Sequence, residues 1–206
     1  VNAYDQKMVM KREVIADKGI WTAKKRYILN CWDIEGVRYK EPKLKMMGIE
    51  AVKSSTPAPC RDKIKGAMNI LMTGDEKMLN TFIQEFREEF MELSPEEIAF
   101  PRSCNGVKKF AGESSLFAKG APIHVKGAIL YNYLLDKHKL EGKFPKIQEG
   151  DKIKFLNMKQ PNIYQSSAFS FITSMPRELD LMSRIDYDVQ FEKSFVEPLR
   201  FITDKM

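Results

Sequence analysis

Tyr27, Leu29, Cys31 and Asp33 alternate with Ile28, Asn30, Trp32 and Ile34, and this period of two is the strongest constraint on how the chain folds. Glu35-Gly36 supplies a two-residue turn and Val37 to Lys45 runs back, so the segment reads as a β-hairpin. Lys24, Lys25 and Arg26 stand just before it beside Tyr27, and Lys53 follows it against Ser54, Ser55, Thr56 and Pro57. A ribbon holds such cations at defined places, so a polyanion lying along it is kept in one register.

The charge of the chain is uneven. Residues 21–53 and 102–126 each carry a net +4, against +6 for all 206 residues, so the remainder is net −2. Concentrated positive charge selects an anionic partner: a duplex nucleic acid, read without sequence preference, or an acidic protein held by a basic scaffold. A hydrophobic fraction of 43% is ordinary for a globular core. Three widely spaced cysteines, Cys31, Cys60 and Cys104, read as free thiols in a reducing compartment, and with His124 and His138 they give no zinc spacing. The expectation is a soluble intracellular protein with no membrane partner, because no apolar run reaches spanning length and no signal peptide is visible. A chain that begins at Val1 without an initiator Met is expected to be partial or trimmed.

Residues 1–20 have weak periodicity; Met8, Met10, Val14 and Ile15 suggest a short strand or an arm. Lys53 to Pro59 reads as an extended linker, since each proline pushes its predecessor out of the helical region, and a domain boundary is placed between residues 53 and 54. Ile64, Ala67, Met68 and Leu71 then form a helical stripe that Gly74 stops. Asp75 is a fitting N-cap for a second helix whose apolar face is Met78, Leu79, Phe82, Ile83, Phe86, Phe90 and Met91. Glu85, Glu88, Glu89 and Glu92 make its outer face a solvated acidic surface.

Ser94 to Pro122 reads as a long glycine-spotted loop. Arg102, Lys108, Lys109 and Lys119, with Ser103, Asn105, Ser114 and Ser115, are phosphate-contacting types, and either a functional or a simply solvated loop fits them. A helix from His124 to His138 should turn Val125, Ile129, Leu130, Tyr133 and Leu134 inward, with Gly127 and Ala128 admitting another backbone. His124 itself suits a structural hydrogen bond better than a phosphate, because a helix N-terminus disfavours the imidazolium. Ile153, Phe155 and Leu156 read as a strand paired with residues 168–172. A last helix over 185–202 should return Phe191, Phe195, Leu199 and Ile202 to the core, with Pro198 kinking or ending it. The fold class is α+β: a β-hairpin followed by a mainly helical domain with a few short strands. No nucleotide-cradling glycine motif, serine elbow or His-Glu metal helix is present, so the residues alone offer no catalytic centre and no metal site.

Lys24-Lys25-Arg26-Tyr27 followed by ILNCWDIEGVRYKEPKLKMMGIEAVKSSTP closely resembles the segment after the last catalytic aspartate motif in family-B DNA polymerases of T-even-like bacteriophages. The resemblance continues through EFREEF, KGAPIHVKGAILYN and DYDVQFEKSFVEPL, over nearly the whole chain. It implies that residues 1–53 complete the polymerase palm and residues 54–206 form the thumb, which wraps primer-template duplex. Lys25 is then the lysine that reaches the minor groove at the primer end, where acceptors at every correct pair let a cation read duplex geometry without sequence. Lys24, Arg26 and Tyr27 line the same surface. Lys53 with Ser54 makes a second primer-strand contact, and Arg102, Ser103, Asn105, Lys108, Lys119, His124 and Lys126 meet the duplex backbone. The segment before Trp21 is shorter than the family's, so Arg12 is assigned no role. The metal-binding aspartates with their two Mg2+ ions, the fingers helix and the exonuclease are expected upstream of Val1, and the sliding-clamp peptide beyond Met206. The resemblance thus implies a nucleotidyltransferase segment with no catalytic residue or cofactor of its own, inactive alone. Its partners are primer-template duplex and the rest of the polymerase, in the cytoplasm of an infected bacterium. A freestanding duplex-binding module is the alternative.

Overall fold

The computed structural model describes residues 10–113 and 115–204; Met8 and Ser114, both singled out in the sequence, lie outside them. The predicted hairpin forms from β2 (Arg26–Ile34) and β3 (Val37–Met47), antiparallel, with Ile34 opposite Val37. Its turn residues Glu35 and Gly36 both take left-handed φ, +55° and +88°, and the Gly36 N–H donates to Asp33 Oδ1 at 2.9 Å. The segment before it, expected as a short strand or an arm, is a ten-residue strand: β1 (Val14–Ala23) pairs with β2 along its length, giving a β1-β2-β3 meander. Register shifts at Ala16 and Ala23 break the alternation, which hides the strand from a search for period two. Arg12 sits 3.5 Å from the buried Asp33 carboxylate.

One face of this sheet packs on the helical body. Ile28, Ile49 and Ala51 share a single hydrophobic core with the buried residues of the helices, so the core is continuous across the 53/54 position. Helix α1 (Ala58–Thr73) takes up Pro59 in its first turn, where a missing N–H costs nothing, so the extended linker is confined to residues 53–57. It buries Cys60, Ile64, Ala67, Met68 and Met72, and Gly74 closes it by donating to the Ile70 carbonyl at 2.7 Å. Asp75 caps α2 (Glu76–Glu92) through Oδ1, which accepts from the Met78 N–H at 2.8 Å. Leu79, Phe86 and Phe90 are buried and the acidic residues lie outside, as expected, but Met78 is 53% exposed and does not belong to the core face.

The predicted loop from Ser94 is shorter than its composition suggests. Helix α3 (Pro95–Ile98) is capped by Glu97, whose Oε2 accepts from both the N–H and the hydroxyl of Ser94, and β4 (Phe100–Ser103) follows at once. β4, β5 (Lys152–Asn157) and β6 (Ala168–Phe171) form a second antiparallel sheet in that order. Elements of four residues are too short to show a period, and Pro101 argues against a strand; it is tolerated because β4 is an edge.

Helix α4 (Ile123–Lys137) lies across β6. Its inward tyrosine is Tyr131, whose hydroxyl donates to the Pro145 carbonyl at 3.3 Å, whereas Tyr133 is 44% exposed, a correction to the predicted face. Gly127 does admit a backbone: a Cβ there would lie 2.5 Å from Ser170 Oγ and 2.8 Å from Ser170 N. Gly127→Ala should therefore lower the unfolding free energy by about 1–3 kcal/mol in a urea titration, since strand backbone must move to admit the methyl group. The last helix is continuous but changes pitch, from α5 (Tyr187–Phe191) through a π-turn at Glu192–Val196 into α6 (Glu197–Thr203). The Glu197 N–H reaches back to Glu192, and this wider turn precedes Pro198 instead of a break. All three cysteines are buried free thiols; burial pushes Cys60 and Cys104 up to about 11.

Candidate nucleic-acid interface

Lys24 and Lys25 form the two-residue connection between β1 and β2, both exposed, with Lys25 at φ +61°. Arg26 does not share their freedom. As the first residue of β2 it turns back into the body, where Nη2 lies 2.8 Å from Glu50 Oε2 and the guanidinium stacks 4.5 Å from the centre of the Phe201 ring. Tyr27 is half-buried between Trp21 and Met47, its cross-strand partners. The Lys53 ammonium is 2.8 Å from the other Glu50 oxygen. Burial would raise the Glu50 pKa, but the Lys53 hydrogen bond, its own backbone N–H and the charges of Arg26 and Lys53 outweigh that and hold it below the usual carboxylate range.

Ser54 follows Lys53 and opens a groove of about 380 Å³, whose walls are Ser54 and Ser55 on one side and Pro101, Arg102, Ser103, Lys152 and Ile153 on the other. Arg102 is therefore a strand residue, not a loop residue. Its Nη1 donates to the carbonyls of Ser55 at 2.9 Å and Pro101 at 2.8 Å, which ties the linker to β4. Its guanidinium lies 5.8 Å from the centres of both the Phe100 and Phe155 rings, and burial lowers its pKa. Cations and hydroxyls in one groove match the donors that phosphate oxygens accept from. His124 sits behind Arg102 against Phe155, ring centres 6.2 Å apart, and burial together with the Arg102 charge lowers its pKa, so it is neutral at pH 7. The His124 carbonyl accepts from the Ser170 hydroxyl at 2.8 Å.

The remaining predicted residues lie on the segment between β4 and α4. Asn105, Lys108 and Lys119 are exposed, and Lys126 reaches over the Phe117 ring at 5.6 Å. This segment is hydrogen-bonded rather than free: Ala118 N–H donates to Phe110 O at 2.8 Å, and Glu149 accepts from the N–H groups of Gly106 at 2.6 Å and Lys108 at 3.0 Å. Those donors hold the Glu149 carboxyl below its ordinary range. Among the described residues, Lys24, Lys25, Arg102, Lys108, Lys119, Lys126 and Lys152 have no carboxylate within salt-bridge distance, whereas Arg26 and Lys53 are paired. Also among them, no three His, Cys, Asp or Glu side chains are grouped to hold a metal ion, and no helix is long and apolar enough to cross a membrane.

Comparison with known proteins places this geometry in context. No protein-family model matches the chain. The DNA-directed DNA polymerase of Escherichia phage RB69 is 34% identical over 209 residues, which cover 95% of this chain and 23% of the relative. That of Enterobacteria phage T4 is 30% identical over 211 residues, again 23% of its length. The chain is homologous to one segment of the T-even-like phage DNA polymerases. It spans about a quarter of the length of these relatives. The fold agrees: a family B DNA polymerase from the archaeon Pyrobaculum calidifontis superposes with a TM-score of 0.56 over 93% of this chain and 22% of that one, at 14% identity.

Three residues beside the candidate contact residues had no signal in the sequence. Lys152 joins the groove because it pairs with Ser103 across β4 and β5, a juxtaposition visible only once both strands are known. Glu50 and Glu149 belong to no motif in the sequence, yet each holds candidate contact segments in place.

Proposed function

We propose that this chain is the palm-end and thumb portion of a phage replicative DNA polymerase, residues 1–53 and 54–206, and that it grips primer-template duplex during replication. The observation that carries the reading is the groove in which Ser54, Ser55, Arg102, Ser103 and Lys152 converge from the linker and the second sheet. Kinship to the phage polymerases supplies the polyanion. Lys24 and Lys25, at the tip of a hairpin, serve the minor groove and primer strand; Lys108, Lys119 and Lys126, which have no carboxylate partner among the described residues, serve the backbone. Arg26 acts as an anchor beneath that tip rather than as a contact. No step of nucleotidyl transfer is assigned to these residues. Two Mg2+ ions would be held, and would supply their charge stabilisation, in the rest of the polymerase, which is the protein partner of this chain in the host cytoplasm.

Lys152→Glu tests the groove. Lys152 is exposed, so the thermal midpoint should stay put while the Kd for a labelled primer-template duplex, read by fluorescence anisotropy, rises about tenfold. An unchanged Kd at matched salt would remove the groove from the interface.

A further inference from the structure

We propose that Glu50 is a positioning residue that yokes the Lys24–Lys25 turn to Lys53, so that both cationic segments engage one duplex as a single unit; this rests on the duplex-gripping reading above. The carboxylate has one partner on each oxygen: Oε2 accepts from Arg26 Nη2 and Oε1 from Lys53 Nζ, both at 2.8 Å. Arg26 directly follows Lys25 and is also held against Phe201, so the bridge fixes the root of the turn. Gly48, just past the end of β3, braces the turn. At φ +67° it approaches so closely that a Cβ would lie 2.4 Å from the Lys25 carbonyl oxygen. On the other side, the Lys53 ammonium has three donors and spends one on Glu50, and its side chain is 41% exposed, leaving donors for phosphate oxygens.

A carboxylate at a polyanion-binding surface repels the ligand. If Glu50 acted through charge alone, Glu50→Gln would tighten duplex binding and change nothing else. A yoke has another signature, because docking one cation then raises the effective concentration of the other at its phosphate. Duplex affinity of the full chain is measured by anisotropy for Lys25→Ala, Lys53→Ala and the double variant, each with Glu50 and with Glu50→Gln. With Glu50 in place, the double variant should depart from the product of the single effects by about threefold; in Glu50→Gln the two effects should simply multiply. Coupling that persists undiminished in Glu50→Gln overturns the yoke and leaves duplex binding intact. If neither lysine substitution weakens binding in either background, the reading of these segments as duplex contacts fails and the yoke fails with it. Arg26→Gln removes the bridge from the other end and must abolish the same coupling, which keeps the test decisive even where Glu50→Gln does not fold.

Discussion

Phe86→Ala should lower the free energy of unfolding by about 3–5 kcal/mol. Phe86 is only 1% exposed and sits among three other rings, with centres 5.8 Å from Phe90, 5.7 Å from Phe191 and 4.7 Å from Phe195. Truncation removes the buried area of a ring and leaves a cavity whose walls belong to separate elements, α2 and the final helix, which cannot both close on it. The effect should also reach the interface. The final helix carries Phe201, which stacks on Arg26, and Arg26 anchors the Lys24–Lys25 turn. Loosening the seam between α2 and that helix should therefore weaken the anchor of the turn as well. Urea denaturation reads the stability change; a loss below about 1 kcal/mol would mean that the ring is not packed as described.

How much of this was legible beforehand varies with the range of the interactions involved. The β2–β3 hairpin, the Gly74 stop and the Asp75 cap could be read from residues because each is decided within a few positions. β1 could not, because bulges at Ala16 and Ala23 shift its side chains between faces. α3 and β4 are four residues each, too short to show a period, so the sequence does not reveal that Arg102 is a strand residue half-covered by Phe100 and Phe155. Tyr131 and Tyr133 are both plausible inward residues on α4; the carbonyl of Pro145 decides between them. The cationic run 24–26 looked uniform. Its division into two exposed turn lysines and one anchored arginine depends on Glu50 and on Phe201, which lies far along the chain. The kinship itself was readable from KKRY, KSSTP and KGAPIHVKGAILYN, whereas the groove required the pairing of Ser103 with Lys152.

A chain that holds a duplex through phosphate contacts must lose affinity as salt rises. Each phosphate neutralised releases counterions and contributes roughly 0.9 to the negative slope of log K against log salt. Lys24, Lys25, Arg102, Lys108, Lys119, Lys126 and Lys152 have no carboxylate partner among the described residues, so they are available for such contacts without breaking an ion pair. If about six of them engage, the slope is about −5 and affinity falls roughly 10³-fold between 50 and 200 mM salt. Lys152→Glu should make the slope shallower by about one, while Met78→Ala, exposed on the acidic helix α2, should leave it unchanged. The deciding measurement is the affinity of the chain for a primer-template duplex, titrated across that salt range. A steep fall, less steep in Lys152→Glu, is what the account predicts. A Kd that does not change with salt would contradict it.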